Sequence, residues 1–201
     1  MELAKTALTA HPILELLAQR WSPYAFADRD VSADDLRSLF EAARWAPSSY
    51  NEQPWSYIVA VRSQPSAFER LLSCLVEGNQ AWARHVPVLA LGVVRDTFAR
   101  NDRPNPVAAH DLGLASMSLV VEAAARNLVV HQMMGIVPDR ARELYKIPEH
   151  SRALTGIAIG YLGDVAALPD ALRARDLAPR ARKSLREFVF GSSWGDPSSS
   201  V

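Results

Sequence analysis

The sequence P-S-S-Y-N-E-Q-P-W, residues 47–55, places two serine hydroxyls and two amide side chains in a short loop with a proline near each end. Pro47 ends the helical pattern before it, because the residue preceding a proline is disfavoured in the α region. From Trp55 onward, apolar residues alternate with others, which predicts a strand over 55–62. The polar side chains offer donors and acceptors suited to a polyol or the edge of a heterocycle. They are also consistent with turn residues that satisfy their own backbone.

The segments around this loop alternate between helical and extended patterns. Ser32-Ala33-Asp34-Asp35 is a capping box that predicts a helix start, and the apolar residues after it have helical spacing. The pattern therefore predicts an α+β or α/β domain. The further predicted strands span 86–94 and 153–162, and the further predicted amphipathic helices span 67–76 and 139–145.

The segment from His110 to Arg126 is apolar on nearly all of its helical faces. Such a helix is buried on every side, either as the central helix of the domain or because part of its surface meets a second subunit. Its many small residues permit close approach of another helix. Asn127 then lies where a residue in the left-handed conformation can end the helix.

Composition excludes several classes of protein. The 201 residues contain 22 Lys+Arg and 22 Asp+Glu, which argues against a strongly basic nucleic-acid-binding protein. Cys74 is the single cysteine, so neither an intrachain disulfide nor a multi-cysteine metal site is expected. The longest apolar run, 86–94, is far shorter than the ~20 residues that a membrane span needs. With no secretory signal pattern at the N-terminus, we expect a cytoplasmic protein.

Common catalytic signatures are absent from the sequence. It contains no phosphate loop, no dinucleotide-binding glycine motif, no nucleophile elbow and no metal-binding histidine pair. The five histidines occur singly, and each is most simply a capping or surface residue. Cys74 lies between apolar residues and is most simply a core side chain.

Two basic segments lack acidic neighbours in sequence. Arg20-Trp21-Ser22-Pro23-Tyr24 lies near one end, and Pro179-Arg180-Ala181-Arg182-Lys183-Ser184 near the other. Arginines that bind through paired, charge-assisted hydrogen bonds are well suited to a phosphate. The alternative is a solvated basic surface.

Taken together and in this order, R-x-S, P-S-S-x-N-x-Q-P-W and R-x-R-K resemble the nitroreductase family of flavoproteins. The resemblance runs from about Arg20 to Gly195 and includes His110-Asp111-Leu112-Gly113 and Trp194-Gly195. It implies an α+β, three-layer fold in which helices flank a central mixed or antiparallel sheet, and a homodimer with FMN in the interface. We expect an N-terminal helical extension over 1–19, the FMN-binding domain over 20–195 and a flexible tail over 196–201.

The resemblance also implies which residues bind FMN. Arg20, Ser22, Arg180 and Arg182 would hold the phosphate, and the loop from Pro47 would approach the flavin from the partner subunit. A backbone N–H of Met134 or Gly135 would face flavin N5. The cofactor-binding residues implied in this way are Arg20, Trp21, Ser22, Tyr24, Pro47, Ser48, Ser49, Asn51, Gln53, Asn79, Gln132, Met133, Met134, Gly135, Arg180 and Arg182.

The activity implied is NAD(P)H-dependent reduction of nitroaromatics, quinones or related conjugated acceptors by a ping-pong mechanism. The flavin carries the chemistry, so no catalytic side chain is expected. Three alternatives remain: a specialised enzyme of the same fold (ene reduction, dehalogenation or oxidase), a flavin-binding dimer with little turnover, and a structural dimer without flavin. No nucleic acid, membrane or metal is implied as a partner.

The sequence departs from the family pattern at three positions. Tyr24 replaces a frequent Arg or Lys, Asn127 a frequent Gly, and Ile136 a frequent aromatic residue. A neutral phenol supplies no charge to stabilise reduced flavin, so the sequence predicts a lower flavin reduction potential than in relatives with the cation. Ile136 predicts a more open substrate side.

Overall fold

Four strands form the central sheet of the computed structural model, which describes residues 5–200. The strands are β1 (Trp55–Val61), β2 (Val88–Arg95), β3 (Val129–Met133) and β4 (Ser151–Gly160), in the order β1-β2-β4-β3. Every strand pairing within the described residues is antiparallel. The fold is therefore α+β, as the sequence predicted, and β1 and β3 are the two edges of the sheet.

Strand β2 lies at the centre of the hydrophobic core. Residues 88–94 are all buried, which explains why this segment is a continuous apolar run rather than an alternating one. The strand begins at Val88, two residues later than predicted, because Pro87 has no N–H to donate to a neighbouring strand.

Seven α-helices surround the sheet in the described part of the chain. At the start of the second, the Ser32 hydroxyl accepts the Asp35 N–H at 3.0 Å, so the predicted cap is present. The helices are α1 (Glu15–Gln19), α2 (Ala33–Arg44), α3 (Pro65–Leu72), α4 (Glu77–Ala83), α5 (Ala108–Ala125), α6 (Pro138–Tyr145) and α7 (Asp170–Leu177).

The long apolar helix α5 packs one face on the sheet and on α2. Its opposite face exposes Gly113 and Met117, so within one chain the helix is not buried on every side. Asn127 follows it with φ 58°, the left-handed conformation that the sequence predicted.

The predicted helix over 67–76 is wrong at its C-terminal end. Helix α3 ends at Leu72 because residues 74–76 pair with the segment after β3: the Cys74 carbonyl accepts the Val137 N–H at 2.7 Å, and the Val76 N–H donates to the Gly135 carbonyl at 3.0 Å. Pairing with a distant segment overrides the local helical pattern here. Cys74 is fully buried, as expected.

The termini have little regular structure. Within the predicted 1–19 extension the structure contains only the five-residue helix α1, and residues 1–4 lie outside the described part. In the predicted tail, the Asp196 carbonyl accepts the Gly191 N–H, and Val201 lies outside the described part. Among residues 5–200, no helix is both long and apolar enough to cross a membrane.

Candidate functional site

The segment 20–24 lies against β3. The ring of His131 on β3 is hydrogen-bonded through Nδ1 to the Pro23 carbonyl at 2.9 Å, so Nδ1 carries the proton. The Tyr24 ring lies 4.7 Å from the His131 ring and 5.1 Å from the Trp82 ring. Burial lowers the pKa of His131. This aromatic group aligns the first basic segment with the strand that leads to Gly135.

Helix α7 fixes the backbone of the same segment. The carboxylate of Asp176, only 3% exposed, accepts the Tyr24 N–H at 3.0 Å and the Ala25 N–H at 3.1 Å. Its neighbour Arg175 donates to the Tyr24 hydroxyl at 3.2 Å. A buried carboxylate that accepts N–H groups holds a loop more firmly than a neutral acceptor does.

Three guanidinium groups converge next to this segment. Burial, followed by the positive charges of Arg180 and Arg182, lowers the pKa of Arg20. Within residues 5–200 none of the three arginines pairs with a carboxylate, and Arg20 Nε is buried without a hydrogen-bond partner. All three line a cleft of about 560 Å³. Such a cluster favours an anionic ligand, because an anion removes the mutual repulsion and satisfies the orphaned donor.

The other residues near this cluster have different surroundings. Trp21 is buried, with the Lys5 ammonium 4.6 Å above its ring, so it supports the segment from beneath. Ser22 is exposed and does not line the cleft. Arg180 also donates to the Lys5 carbonyl at 2.9 Å, which orients its guanidinium. The structure therefore brings Arg20, Arg180 and Arg182 together without Ser22.

At the end of β3 the backbone passes close to its neighbours. A Cβ at Gly135 would lie 2.4 Å from Asn79 Nδ2 and 2.8 Å from Val76 Cγ2, so any other residue here would displace these two side chains. The Asn79 amide donates to the Gly135 carbonyl at 2.9 Å and thereby supports this turn. Met134 next to it is 90% exposed.

Gln132 and Met133 are neighbours in strand β3, so their side chains point to opposite faces of the sheet. Gln132 is exposed, whereas the Met133 side chain is 6% exposed and packs in the core. A contact from Met133 to a ligand would therefore come from its backbone. Gln132 and Met134 are the side chains of this stretch that are open to solvent.

The loop over 47–53 has a strained backbone held by hydrogen bonds. Tyr50, Asn51 and Gln53 all have positive φ values, 53°, 55° and 49°. The Ser48 hydroxyl accepts the Gln53 N–H at 3.0 Å, and the buried Asp111 carboxylate accepts the Ser49 N–H at 3.1 Å. Non-glycine residues in this conformation cluster at ligand-binding positions, where surrounding contacts compensate for the strain.

Some polar groups of this loop satisfy its own backbone, and others remain open to a ligand, so each of the two interpretations from the sequence applies to part of the loop. Ser48 satisfies its own loop backbone, and the Gln53 amide donates to the Asn51 carbonyl at 3.2 Å. The side chains of Pro47 and Asn51 are exposed and available to another molecule.

One chain does not bring the two halves of the candidate site together. The loop over 47–53 leads into β1, and residues 132–135 end β3, on the opposite edge of the sheet. Three strand spacings separate these edges, a distance of about 14 Å. The arginine cluster and Tyr24 lie on the β3 side.

Comparison with known proteins agrees with this arrangement of fold and motifs. Residues 17–161 match the model of the nitroreductase family, which covers most of the chain. This protein belongs to the nitroreductase family. A solved structure described as an oxidoreductase containing FMN is 33% identical, covers 92% of this chain and 94% of its own, and superposes with a TM-score of 0.87.

Two curated relatives extend the comparison of this nitroreductase-family protein. An uncharacterized 15.4 kDa protein of Mycolicibacterium smegmatis is 34% identical over 130 residues, which are 65% of this chain and 86% of the relative. A protein of Archaeoglobus fulgidus, provisionally named an NADH dehydrogenase/NAD(P)H nitroreductase, is 27% identical over 158 residues, 75% of this chain and 86% of its own.

Sequence reasoning missed four residues that position the candidate site. Asp111 belongs to the His110-Asp111-Leu112-Gly113 motif, so a signal for it existed, but its role as acceptor for the Ser49 N–H did not follow from that motif. Asp176, Arg175 and His131 had no local signal, because their partners in the 23–25 segment are more than one hundred residues away in sequence.

Proposed function

We propose that this protein is an FMN-dependent oxidoreductase that uses NAD(P)H to reduce nitroaromatics, quinones or related small conjugated acceptors. The observation that carries the proposal is the cluster of Arg20, Arg180 and Arg182, with the buried Arg20 Nε lacking a partner. The related oxidoreductase described as containing FMN supports the choice of cofactor. The provisional name of the A. fulgidus relative supports NAD(P)H as donor.

The described residues fit the phosphate of FMN. A phosphate dianion offers several acceptor oxygens, and three guanidinium groups offer the matching donors with opposite charge. Arg20, Arg180 and Arg182 would hold this group, Tyr24 and the exposed Met134 would lie further along the same side, and Asn79 would keep the Gly135 turn in place.

A second copy of the chain would complete the site. The loop over 47–53 and the arginine cluster lie on opposite edges of one sheet, so a partner subunit is the simplest way to bring a loop of this kind to the cluster. Gly113, Met117 and Val121 lie one turn apart on the face of α5 away from the sheet, which gives an apolar contact surface.

When FMN is bound, it supplies two-electron hydride chemistry between NAD(P)H and a conjugated acceptor. The residues of this chain bind, orient and shield rather than react. The Gly135 turn packs against Val76 and Asn79, so its shape is fixed before a ligand binds. Asp176 keeps the 24–25 backbone fixed, and His131 keeps Pro23 fixed, so the binding surface is set before a substrate arrives. We infer a ping-pong cycle in which donor and acceptor use one surface in turn.

Steady-state turnover tests the proposal. The purified, FMN-loaded protein should oxidise NADH or NADPH in the presence of menadione or nitrofurazone, with parallel double-reciprocal lines. Under anaerobic conditions either donor alone should bleach the yellow flavin. A flavin that stays oxidised with both donors would contradict the proposed activity and leave a flavin-binding dimer.

A further inference from the structure

The loop between β2 and α5 forms a cationic, aromatic surface that the proposed function does not yet use. The guanidinium carbon of Arg100 lies 4.7 Å from the Tyr50 ring centre and 4.6 Å from the Phe98 ring centre. The two rings contact each other edge to face at 6.2 Å. Tyr50 is 78% exposed, so this stack is open to solvent.

The stack of Arg100, Tyr50 and Phe98 is joined directly to the strained loop over 47–53. Tyr50 is one of its positive-φ residues, and the Glu52 carboxylate accepts the Ala99 N–H, which ties the two loops together. A cleft of about 390 Å³ lies between them, and Ser49 and Arg103 both line it. The cleft therefore borders the residues that we propose approach the flavin.

The charges of this surface are unbalanced. Asp102 pairs with Arg95 at 2.7 Å and Asp96 pairs with Arg152 at 2.9 Å, which leaves the Glu52 carboxylate, the acceptor of the Ala99 N–H, against the two positive charges of Arg100 and Arg103. Within residues 5–200, neither Arg100 nor Arg103 lies within ion-pair distance of a carboxylate. Stacking uses the faces of a guanidinium and leaves its N–H edge free for an anion.

We propose that this cleft binds an anionic group of the substrate that reacts at the candidate site, with Arg100 and Arg103 as its specificity-determining residues. The inference rests on the proposed function, because it assigns a substrate class to the same site. Two sources offer this chemistry: a carboxylate on an aromatic acceptor, and the 2′-phosphate that distinguishes NADPH from NADH. Tyr50 and Phe98 would contact the apolar part of the bound molecule.

The acceptor arm of the test compares 4-nitrobenzoate with the neutral 4-nitrobenzamide on the FMN-loaded enzyme. Arg100→Gln and Arg103→Gln should each raise KM for the benzoate about three- to fivefold, as expected for an exposed charge pair, with kcat and the benzamide values unchanged. Arg37→Gln is the matched control, because it removes an exposed arginine from α2, away from this loop. The effect should diminish at high salt.

The donor arm compares NADPH with NADH on the same variants. A selective rise in KM for NADPH assigns the surface to the donor phosphate, and a selective rise for nitrobenzoate assigns it to the acceptor. Arg103→Lys keeps the charge at a position without a ring contact and should retain most of the wild-type preference. If Arg103→Lys behaves as Arg103→Gln, or if the Arg100→Gln and Arg103→Gln variants treat charged and neutral substrates alike, the proposal is overturned.

Equilibrium binding separates this inference from the proposed activity. Titration of the FMN-loaded protein with 4-nitrobenzoate and 4-nitrobenzamide, followed by ligand NMR, needs no turnover. Tighter binding of the benzoate that is lost in Arg103→Gln supports the anion site even if no donor reduces the flavin. Equal binding of the two probes to the wild-type protein rejects the acceptor carboxylate as the anion, and equal binding of NADP⁺ and NAD⁺ as well rejects the anion site even if turnover is rapid.

Discussion

The guanidinium of Arg175 donates a hydrogen bond to the phenolic oxygen of Tyr24 at 3.2 Å, and its central carbon lies 5.8 Å from the Tyr24 ring centre. The sequence predicted that a phenol at position 24 leaves the flavin without a positive charge and lowers its reduction potential. The structure adds a cation that the sequence argument did not include, because α7 places Arg175 against the Tyr24 hydroxyl. A positive charge beside a ligand stabilises its anionic reduced form.

Removing this cation should lower the FMN reduction potential. We expect Arg175→Gln to shift the midpoint downward by about 20 mV, which corresponds to roughly 1 kcal/mol for an exposed pair over two electrons. Tyr24→Phe keeps Arg175 and should shift it less. Midpoints measured by redox-dye equilibration check both values, and equal midpoints in wild type and Arg175→Gln would remove the role of this cation.

The arginine cluster should discriminate FMN from riboflavin. Arg182 is exposed, so Arg182→Gln is not expected to affect folding, and it should weaken FMN binding about tenfold through loss of a charge-assisted contact. Binding of riboflavin, which lacks the phosphate, should not change. Flavin fluorescence titrations of the apoprotein measure both constants, with Arg37→Gln as control. A parallel loss for both flavins would mean that Arg182 does not contact the phosphate.

Alanine at position 135 should destabilise the fold. Its Cβ would displace Asn79 Nδ2 and Val76 Cγ2, and the hydrogen bond from Asn79 to the Gly135 carbonyl opposes the shift. We expect Gly135→Ala to lower the free energy of unfolding by about 1–3 kcal/mol. Gly78→Ala is the control, because nothing lies within 4 Å of the added methyl and helix α4 should be slightly stabilised. Urea unfolding measures the free energy of unfolding of both variants. If Gly135→Ala were as stable as Gly78→Ala, the packing argument would be refuted.

Stability should fall in mild acid because of His131. Burial lowers its pKa in the folded protein below the 6.5 of the unfolded chain, so the unfolded state binds a proton more readily. The contribution of His131 is complete above pH 6.5 and is lost as the pH falls through the lowered folded value. Urea unfolding at pH 7.5 and 5.5 should show a smaller loss for His131→Gln than for the exposed control His150→Gln. The same loss in both variants would argue against a buried neutral imidazole.

Local patterns sufficed for the elements whose signals lie within a few residues. The Ser32 cap, the all-apolar β2 and the left-handed Asn127 follow from short-range chemistry, and the structure contains each of them. Residues 74–76 do not, because their pairing partner at 135–137 is sixty residues away. Strand β3 was missed because it pairs with the distant β4, and helix α4 was missed because its seven residues include the weak helix formers Gly78 and Asn79 and no side chain caps it.

The candidate site divides in a similar way. Motif resemblance located the cations, and the structure brings Arg20, Arg180 and Arg182 to one cleft. The motif resemblance could not reveal that Asp176 holds the backbone at Tyr24, because no sequence pattern links residues 152 positions apart. The resemblance also could not show that the 47–53 loop and the Gly135 turn at the end of β3 lie at opposite edges of the sheet.

Native mass spectrometry of the purified protein shows whether a dimer binds FMN, on which the proposed site depends. We expect a mass of two chains with two FMN molecules, which are released together when the dimer dissociates. A single chain without flavin, which stays so after incubation with excess FMN, would contradict it.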